Sequence, residues 1–430
     1  MKIPKNLIIC LIDAAAADHL GCYGYSKNTT AGIDEIAREG VLFENAFTQI
    51  PSTLPAVTSL FTSFHPEAHQ VLNRHCRLSV EATTLAKLFR ECGFRTAAFS
   101  ANPYVSRHYG LDNGFLEFEE IFAHYDVTIE HVVSVPAEHV TRRVIEWIGS
   151  NAGDRFFLFI HYLQPHNPYE SPVTDARPRV SYSGPVRGDA ETLLAIDSGK
   201  ILLGTEDLAF LKGLYDQNLS YVDAEITEFI EELRSIGLLE KSLFVLLSDH
   251  GEAFGEHGRF LHNSTVYDEM IHIPLILRFP APCAKVGRIQ SLVEIVDLLP
   301  SLCEIFKIHT RNIVQGMSFL PLLRQSFFRF LKKKWVFAQT DGAYMIRSAD
   351  RKLIKNRNDT WELYDLVNDK EERCNIYEKS MIEAKELCGK LEVWLKTQAS
   401  IRSKIHLCEE LVEKEQEMMA KKLKGLGYLG

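Results

Sequence analysis

The feature that most constrains the fold of this chain is a series of short apolar runs that alternate with helical patterns. The first run, residues 6–12, is rich in Leu and Ile and stops at Asp13, as expected of a strand buried on both faces of a parallel sheet. Four similar runs follow at residues 94–100, 156–162, 242–248 and 274–279. The helical patterns lie at residues 82–91, 136–148, 206–235 and 295–306. This alternation predicts an α/β fold with a doubly wound, mostly parallel sheet flanked by helices.

The pattern changes after residue 324. Short β-rich segments at residues 335–338, 343–346, 353–355 and 362–365 predict a small antiparallel sheet. Residues 382–397 form an amphipathic helical pattern that can cover this sheet, and residues 409–424 form a charge-rich, solvated helical pattern. We therefore predict a main α/β domain at residues 1–324, a C-terminal α+β subdomain at residues 325–400 and a helical tail at residues 401–430.

Composition excludes several classes of protein. The 48 Lys and Arg residues against 57 Asp and Glu give a formal net charge of −9, which argues against a nucleic-acid binder. The nine cysteines show no CxxC pair, so neither a disulfide framework nor a structural zinc site is expected. The sequence contains no stretch of ~20 uncharged apolar residues, so no membrane span is predicted. Asp13 interrupts the first apolar run, which has no signal-peptide cleavage site, so we expect a cytoplasmic protein. The oligomeric state is not readable from the sequence.

Residue types that bind metal ions follow two of the predicted strands. Asp13 closes the first strand, and Asp249 and His250 close the strand at residues 242–248. Ligand sites in open α/β sheets lie at the carboxyl ends of the strands, so we expect these side chains to meet. Ser52 and Thr53 stand where a loop enters a predicted helix, a position that favours a capping residue but also suits a nucleophile.

The chain resembles the sulfatases of the alkaline-phosphatase superfamily through motifs that keep the same order. The first motif is residues 13–24, which include His19-Leu20-Gly21-Cys22-Tyr23-Gly24, and it is followed by residues 33–43, 59–62, 165–169 and 248–252. Next come residues 255–258 with His262, then Tyr267 and residues 273–275. The last two motifs are residues 362–369 and 426–428. The resemblance covers almost the whole chain. It implies an alkaline-phosphatase-like fold, a hydrolase of anionic esters, and a catalytic role for residues 1–324.

The chain also departs from that family at positions that matter for sulfate chemistry. Sulfatases carry a Cys or Ser that is oxidised to formylglycine, and the aligned residue here is Thr53, which its β-methyl group makes unsuitable for that oxidation. Ala14 replaces the second Asp of the opening pair, and Ala16 and Val57 replace two arginines. The Lys and His that follow the third strand in many sulfatases are replaced around Asn102.

Threonine at this position is typical of phosphate-cleaving and phosphate-transferring relatives. The resemblance and the residue types together predict one divalent metal ion held by Asp13, Thr53, Asp249 and His250. A mixed set of oxygen and imidazole ligands favours zinc or manganese, whereas the family resemblance leaves calcium or magnesium open.

Three further residues are candidates for roles around the ester. His166, within the Pro-His-x-Pro-Tyr motif, and His262, where sulfatases have Lys, are candidates for proton transfer. Asn102 is a candidate for binding an ester oxygen, and His161 is interpreted as a packing residue.

The favoured function is a metal-dependent hydrolase of phosphate monoesters, phosphodiesters or phosphonates, with a covalent intermediate on Thr53. The alternatives are a true sulfatase, a phosphoethanolamine-type transferase, and a non-catalytic relative that lost the chemistry through Ala14, Ala16 and Val57. The expected partner is a small-molecule or glycan ester, with no nucleic acid and no membrane span. Loops at residues 106–135 and 175–200 are expected to select the alcohol part of the substrate.

Overall fold

A computed structural model describes residues 3–124, 135–169, 182–280, 287–310, 314–324 and 333–425. The strands of the described chain are β1 (Asn6–Ile12), β2 (Val41–Phe43), β3 (Ala46–Phe47), β4 (Cys76–Leu78), β5 (Arg95–Ser100), β6 (Glu117–Glu120), β7 (Phe156–Tyr162), β8 (Ser242–Ser248), β9 (Ala253–Phe254), β10 (Phe260–Leu261), β11 (His272–Ile273), β12 (Leu275–Arg278), β13 (Gly287–Ile289), β14 (Val293–Glu294), β15 (Val336–Thr340), β16 (Ala343–Arg347), β17 (Arg351–Lys355), β18 (Trp361–Asp365) and β19 (Cys408–Glu410). The helices are α1 (Ala31–Glu39), α2 (Thr53–Thr62), α3 (Pro66–His69), α4 (Leu85–Glu91), α5 (Ala137–Asn151), α6 (Ala190–Asp197), α7 (Thr205–Ser235), α8 (Asp268–Ile271), α9 (Leu298–Phe306), α10 (Leu320–Leu323), α11 (Met381–Arg402) and α12 (Glu413–Gly425).

An eight-stranded sheet forms the centre of the molecule, in the order β13-β2-β12-β8-β1-β7-β5-β6. The strands β8, β1, β7, β5 and β6 run parallel to one another, whereas β12 runs antiparallel to both β8 and β2. Every residue of β1, β7 and β8 is buried, because helices cover both faces of the sheet. The predicted α/β class with a mostly parallel sheet is confirmed. The last predicted run, residues 274–279, forms the strand β12, which runs antiparallel to its neighbours rather than parallel as predicted.

The C-terminal region contains the predicted antiparallel sheet, in the order β15-β16-β17-β18. One face packs Ile346, Leu353 and Leu363 against apolar residues of α11. The opposite face packs residues such as Met345 against Phe47 of the main α/β region. Because both faces are buried, this sheet is joined to the rest of the molecule through an apolar core.

The tail differs from its prediction as one solvated helix. Residues 408–410 form β19, which pairs antiparallel with β4, and the helix α12 begins only at Glu413. Leu411 and Leu423 are buried in the main core, so apolar side chains spaced among the charges anchor this segment. Among the described residues, no helix combines the length and the apolar character that a membrane span requires.

The two loops predicted to select the substrate contain regular structure. Residues 106–135 include β6, and residues 175–200 include α6, whose N-cap Asp189 accepts a hydrogen bond from the backbone of Thr192. Residues 125–134 and 175–181 of these loops lie outside the described residues.

Candidate active site and metal centre

Two neighbouring parallel strands bring the first candidate ligands together. β1 and β8 pair in register, with Ile12 opposite Ser248, so Asp13 and Asp249 leave the sheet side by side at its carboxyl edge. Asp13, Asp249 and His250 are buried, and one ligand atom from each lies within 4.8 Å of the others. The three residues therefore form a candidate site for a single metal ion.

The hydrogen bonds around these residues leave the ligand atoms free. Asp249 Oδ1 accepts hydrogen bonds from the backbone of Ala14 (3.2 Å) and His250 (3.0 Å), whereas its Oδ2 is buried without a hydrogen-bond partner among the described residues. His250 Nδ1 donates to the carbonyl oxygen of Gly251 at 2.9 Å, which leaves Nε2 unprotonated. His250 Nε2 lies 3.5 Å from Asp249 Oδ2 and 3.7 Å from Asp13 Oδ1. A bare carboxylate oxygen and an imidazole lone pair are what a divalent cation requires, so the residues present fit such an ion.

Thr53 lies against the same atoms. It is the first residue of α2, and Ser52 before it is the N-cap residue, without a side-chain capping bond. Thr53 Oγ1 is 3.4 Å from Asp13 Oδ1 and 3.4 Å from His250 Nε2. The hydroxyl group therefore lies next to two candidate ligands and at a helix N-terminus, whose dipole stabilises negative charge on oxygen.

Asn102 lies beside Asp13. Its amide Nδ2 donates to Asp13 Oδ2 at 2.5 Å, and its Oδ1 accepts a hydrogen bond from the backbone of Tyr104 at 2.8 Å. Both polar groups of the side chain thus have partners within the protein, and contact with an ester oxygen stays a prediction.

The two predicted proton-transfer residues form a cluster with His250. The ring centroid of His262 lies 4.4 Å from that of His250 and 4.9 Å from that of His166. His166 Nδ1 donates to the carbonyl oxygen of Asn167 at 2.6 Å, and His262 Nδ1 donates to Glu252 Oε1 at 3.0 Å. The structure therefore brings all seven predicted site residues to one place; their roles stay predictions.

Burial and neighbouring charges shift the pKa values at this site in opposite directions. Burial, followed by the negative charge of Asp249, raises the pKa of the Asp13 carboxyl well above its usual range. Burial and the positive charges of neighbouring histidines lower the pKa of His166. Burial also acts to lower the pKa of His262, but the Glu252 carboxylate outweighs it and the net shift is upward.

The loop after β1 places the alanines that replace charged family residues. Ala14 adopts a left-handed conformation (φ 55°). Tyr215 of α7 donates its hydroxyl hydrogen to the Ala14 carbonyl oxygen at 2.7 Å and accepts a hydrogen bond from the Ala16 amide at 2.9 Å. Val57 is fully buried in the main core. These three positions thus supply packing and fixed backbone rather than charge.

Sequence reasoning missed two residues of the site. Glu252, whose side chain is fully buried, holds His262, and the acidic residue after Asp249-His250-Gly251 was the available signal. His161 was interpreted as packing, but its Nε2 lies 3.4 Å from Asp13 Oδ2. The signal there was one polar residue in an otherwise apolar strand.

Comparison with known protein families agrees with this geometry. The family model described as Sulfatase matches residues 5–308, and that described as N-sulphoglucosamine sulphohydrolase, C-terminal, matches residues 255–399. The chain belongs to the sulfatase family. As a member of the sulfatase family it is a hydrolase of anionic esters.

Curated relatives and solved structures resemble this sulfatase-family chain over most of its length. Arylsulfatase K of Bos taurus is 25% identical over 402 residues, which cover 81% of this chain and 73% of that protein. The structure of BT4656 in complex with D-glucosamine-2-N,6-O-disulfate has a TM-score of 0.77 at 20% identity, and covers 93% of this chain and 99% of that one. The phosphonate monoester hydrolase of Agrobacterium radiobacter has a TM-score of 0.73 at 18% identity, with 96% and 98% covered.

Proposed function

We propose that this protein hydrolyses phosphorus esters that carry a single negative charge, namely phosphonate monoesters or phosphodiesters, with Thr53 as the nucleophile. The observation that carries this proposal is the position of Thr53 Oγ1, 3.4 Å from both Asp13 Oδ1 and His250 Nε2. The same fold occurs in a phosphonate monoester hydrolase, which supports this substrate class. A threonine cannot become formylglycine, so chemistry through the unmodified hydroxyl group is favoured.

Asp13, Asp249, His250 and Thr53 would hold one divalent cation. Such an ion would lower the pKa of the Thr53 hydroxyl and offset the charge of the ester. The imidazole of His250 favours zinc or manganese, because calcium and magnesium prefer sets made only of oxygen ligands. The buried Asp249 Oδ2 lacks a hydrogen-bond partner among the described residues, which supports a cation at this position.

The reaction divides into two displacements at phosphorus. In the first, the bond from Thr53 Oγ1 to phosphorus forms, the bond from phosphorus to the alcohol oxygen breaks, and the proton lost by Thr53 ends on the alcohol. In the second, water displaces Thr53 from phosphorus, its proton restores the hydroxyl, and the product acid leaves. We assign the transfer of the proton to the leaving alcohol to His262, and the bond from its Nδ1 to Glu252, which orients the ring and leaves Nε2 available, supports this role.

The charge of the site favours esters with a single negative charge. Ala16 and Val57 stand where sulfatases carry arginines, and His262 stands where they carry Lys. A phosphate monoester dianion needs more fixed positive charge than a phosphodiester or a phosphonate monoester. The glucosamine disulfate bound by a structural neighbour supports a sugar as one class of alcohol.

The proposal is tested with the purified protein on nitrophenyl esters of phosphate, phosphonate, phosphodiester and sulfate, each with Zn²⁺, Mn²⁺, Ca²⁺ and Mg²⁺. We expect turnover of phosphonate or diester with Zn²⁺ or Mn²⁺. Thr53→Ala should lower kcat/KM at least ~10³-fold, because the nucleophile is lost. Thr58→Ala is the matched control, a buried threonine of the same helix whose hydroxyl donates to Leu54. Undiminished activity of Thr53→Ala, or no turnover of any phosphorus ester, would refute the proposal.

A true sulfatase is the second candidate, because the named curated relatives are arylsulfatases. It predicts sulfate release that exceeds phosphorus ester hydrolysis, together with an unmodified residue 53 in the intact mass. A phosphoryl group trapped on Thr53 during phosphonate or diester turnover decides for the first candidate.

A further inference from the structure

The two oxygens of the Asp13 carboxylate face different groups. Oδ1 faces the candidate metal ligands, with Thr53 Oγ1 at 3.4 Å and His250 Nε2 at 3.7 Å. Oδ2 faces Asn102 Nδ2 at 2.5 Å and His161 Nε2 at 3.4 Å. One oxygen is therefore surrounded by nitrogen atoms that can donate hydrogen, and the other is turned toward the cation site.

The order of strands explains this division. β7 pairs with β1 on one side and with β5 on the other, and His161 lies opposite Leu11 of β1 and Ser100 of β5. Asn102 is the second residue after the end of β5. Asp249 and His250 follow β8, which pairs with the other edge of β1. Asp13 thus receives the two nitrogen donors from one side of its strand and the metal ligands from the opposite side.

Packing alone does not account for His161. Its side chain is fully buried, and neither ring nitrogen has a hydrogen-bond partner among the described residues. A buried polar group without a partner destabilises the folded state, and a Phe would fill such a position without that cost. Among the described residues, Asp13 is the acidic side chain within 4 Å of the ring, with Oδ2 at 3.4 Å from Nε2, so this contact is what distinguishes His161 from a packing residue.

Asn102 is fixed in the orientation that serves Asp13. The bond from the Tyr104 amide to Asn102 Oδ1, at 2.8 Å, identifies which end of the side-chain amide is oxygen. Nδ2 is thereby directed at Asp13 Oδ2, and the side chain is fully buried. Oδ2 thus faces one amide that donates a hydrogen bond to it and one imidazole nitrogen that lies 3.4 Å away.

We propose that Asn102 and His161 are positioning residues of the metal centre, which hold Asp13 Oδ2 and leave only Oδ1 to bind the cation. This inference rests on the proposed function for the presence of a cation at Asp13. Groups that hydrogen-bond a ligating carboxylate set its orientation and its basicity, and their loss typically weakens metal binding 10–100-fold. An Asp13 carboxylate free to rotate would present both oxygens and lose this arrangement.

The test measures Mn²⁺ affinity of the full chain by electron paramagnetic resonance, together with the melting temperature of the metal-free protein. His161→Phe and Asn102→Leu are each expected to weaken Mn²⁺ binding about 10–100-fold. His161→Gln, which retains an N–H donor, is expected to recover most of the affinity. Tyr162→Phe is the matched control, because it removes a buried hydroxyl bonded to Thr141 from the adjacent position of the same strand.

The outcomes separate this inference from the proposed function. If both His161→Phe and Asn102→Leu bind Mn²⁺ within twofold of wild type, or if wild type binds no Mn²⁺, the inference is overturned. It is also overturned if His161→Gln binds as weakly as His161→Phe, because the donor then plays no part. Failure of the proposed function instead appears as no turnover of phosphorus esters by a wild-type protein with normal Mn²⁺ binding.

Discussion

Two buried groups of carboxylates in this protein are compensated in different ways. The first, which we call the metal-centre cluster, consists of Asp13, Asp249 and Glu252 at the carboxyl edge of the large sheet. The second, which we call the interface cluster, consists of Asp268 of α8 and Glu372, which both contact Lys352 of the C-terminal sheet. Glu372 is buried and the Asp268 side chain is 23% exposed, so both clusters require positive charge or protonation.

The interface cluster carries its own cations. Lys352 Nζ lies 2.8 Å from Asp268 Oδ1 and 2.7 Å from Glu372 Oε1, and Arg347 lies 2.7 Å from Asp268 Oδ2. Burial acts to raise the pKa of the Asp268 carboxyl, but Arg347 and Lys352 outweigh it and the net shift is downward.

The metal-centre cluster has histidines but no lysine or arginine within ion-pair distance among the described residues. The pKa of Asp13 is raised by burial and by Asp249. The comparison teaches that the chain itself supplies the cations of one acidic cluster, whereas the other cluster has none within ion-pair distance among the described residues and would be completed by the proposed metal ion.

The largest expected effect is the loss of metal binding when a carboxylate of the metal-centre cluster is neutralised. Asp249→Asn removes the charge at the buried Oδ2, so Mn²⁺ affinity should fall by more than ~100-fold, beyond the loss seen for groups that only orient a ligand. Turnover should fall with it. The free energy of unfolding of the metal-free protein should stay equal or rise, because two like charges are no longer confined together. Lower stability of the metal-free variant would contradict the comparison.

The next largest effect is expected from Lys352→Met at the interface cluster. Removing the shared cation leaves the buried Glu372 without an ion-pair partner among the described residues and Asp268 with Arg347, which should lower the free energy of unfolding by about 3–5 kcal/mol. Chemical denaturation followed by circular dichroism measures this change.

Lys355→Met in the same strand is the control for Lys352→Met. Lys355 pairs with Asp359, whose side chain is 83% exposed, so its loss should change stability by less than about 1 kcal/mol. Equal effects of the two lysines would show that the interface cluster needs no internal cation.

Much of the fold was predictable because the signal is local. The mainly apolar strands β1, β7 and β8 have the bounds expected from the sequence, since strands covered on both faces read as nearly continuous apolar runs. The placement of Asp13 beside Asp249 also follows, because parallel strands end at a common edge. What the sequence did not indicate was the direction of β12, which depends on the route of the chain between elements.

The residues around the ligands were less predictable, because their partners are distant in sequence. His161 is separated from Asp13 by 148 positions, and its one local signal, a polar residue in an otherwise apolar strand, does not indicate which residue it contacts. The strand β19 was hidden in a charged segment, because its pairing depends on β4, 332 positions away at Arg77 and Glu409. Contacts of this kind become visible only when the fold is known.

A third prediction concerns the response of the two clusters to metal removal. Mn²⁺ at 100 times its dissociation constant should stabilise the wild type by about 2.7 kcal/mol, and a chelator should remove this gain. Lys352→Met should show the same metal-dependent difference at a lower total stability, whereas Asp249→Asn should show at most about 0.4 kcal/mol. The melting temperature with Mn²⁺ and with chelator measures each difference. If a chelator lowered the melting temperature of Asp249→Asn as much as that of the wild type, the stabilising ion would bind somewhere other than the metal-centre cluster.

The smallest expected effect is a pH dependence that originates in the interface cluster. Burial, offset only in part by Lys352, raises the pKa of the Glu372 carboxyl to about 7. Between the unfolded value near 4.5 and this value, the folded protein binds more protons than the unfolded chain, so the contribution of Glu372 to stability falls as pH rises. Glu372→Gln has no such group, and the Gln carbonyl oxygen can still accept the hydrogen bond that the Asp268 amide gives Glu372 at 2.8 Å.

The free energy of unfolding of wild type minus that of Glu372→Gln should therefore decrease between pH 5 and pH 7, by at most about 1.4 kcal/mol per pH unit. Taking the difference removes the contributions of nearby groups that titrate in both proteins, such as His257, which contacts the carbonyl oxygen of residue 372. A difference that is constant over this range would mean that Lys352 keeps Glu372 ionised throughout. The interface cluster would then be fully compensated by the chain, and its contrast with the metal-centre cluster would be sharper than the present pKa values indicate.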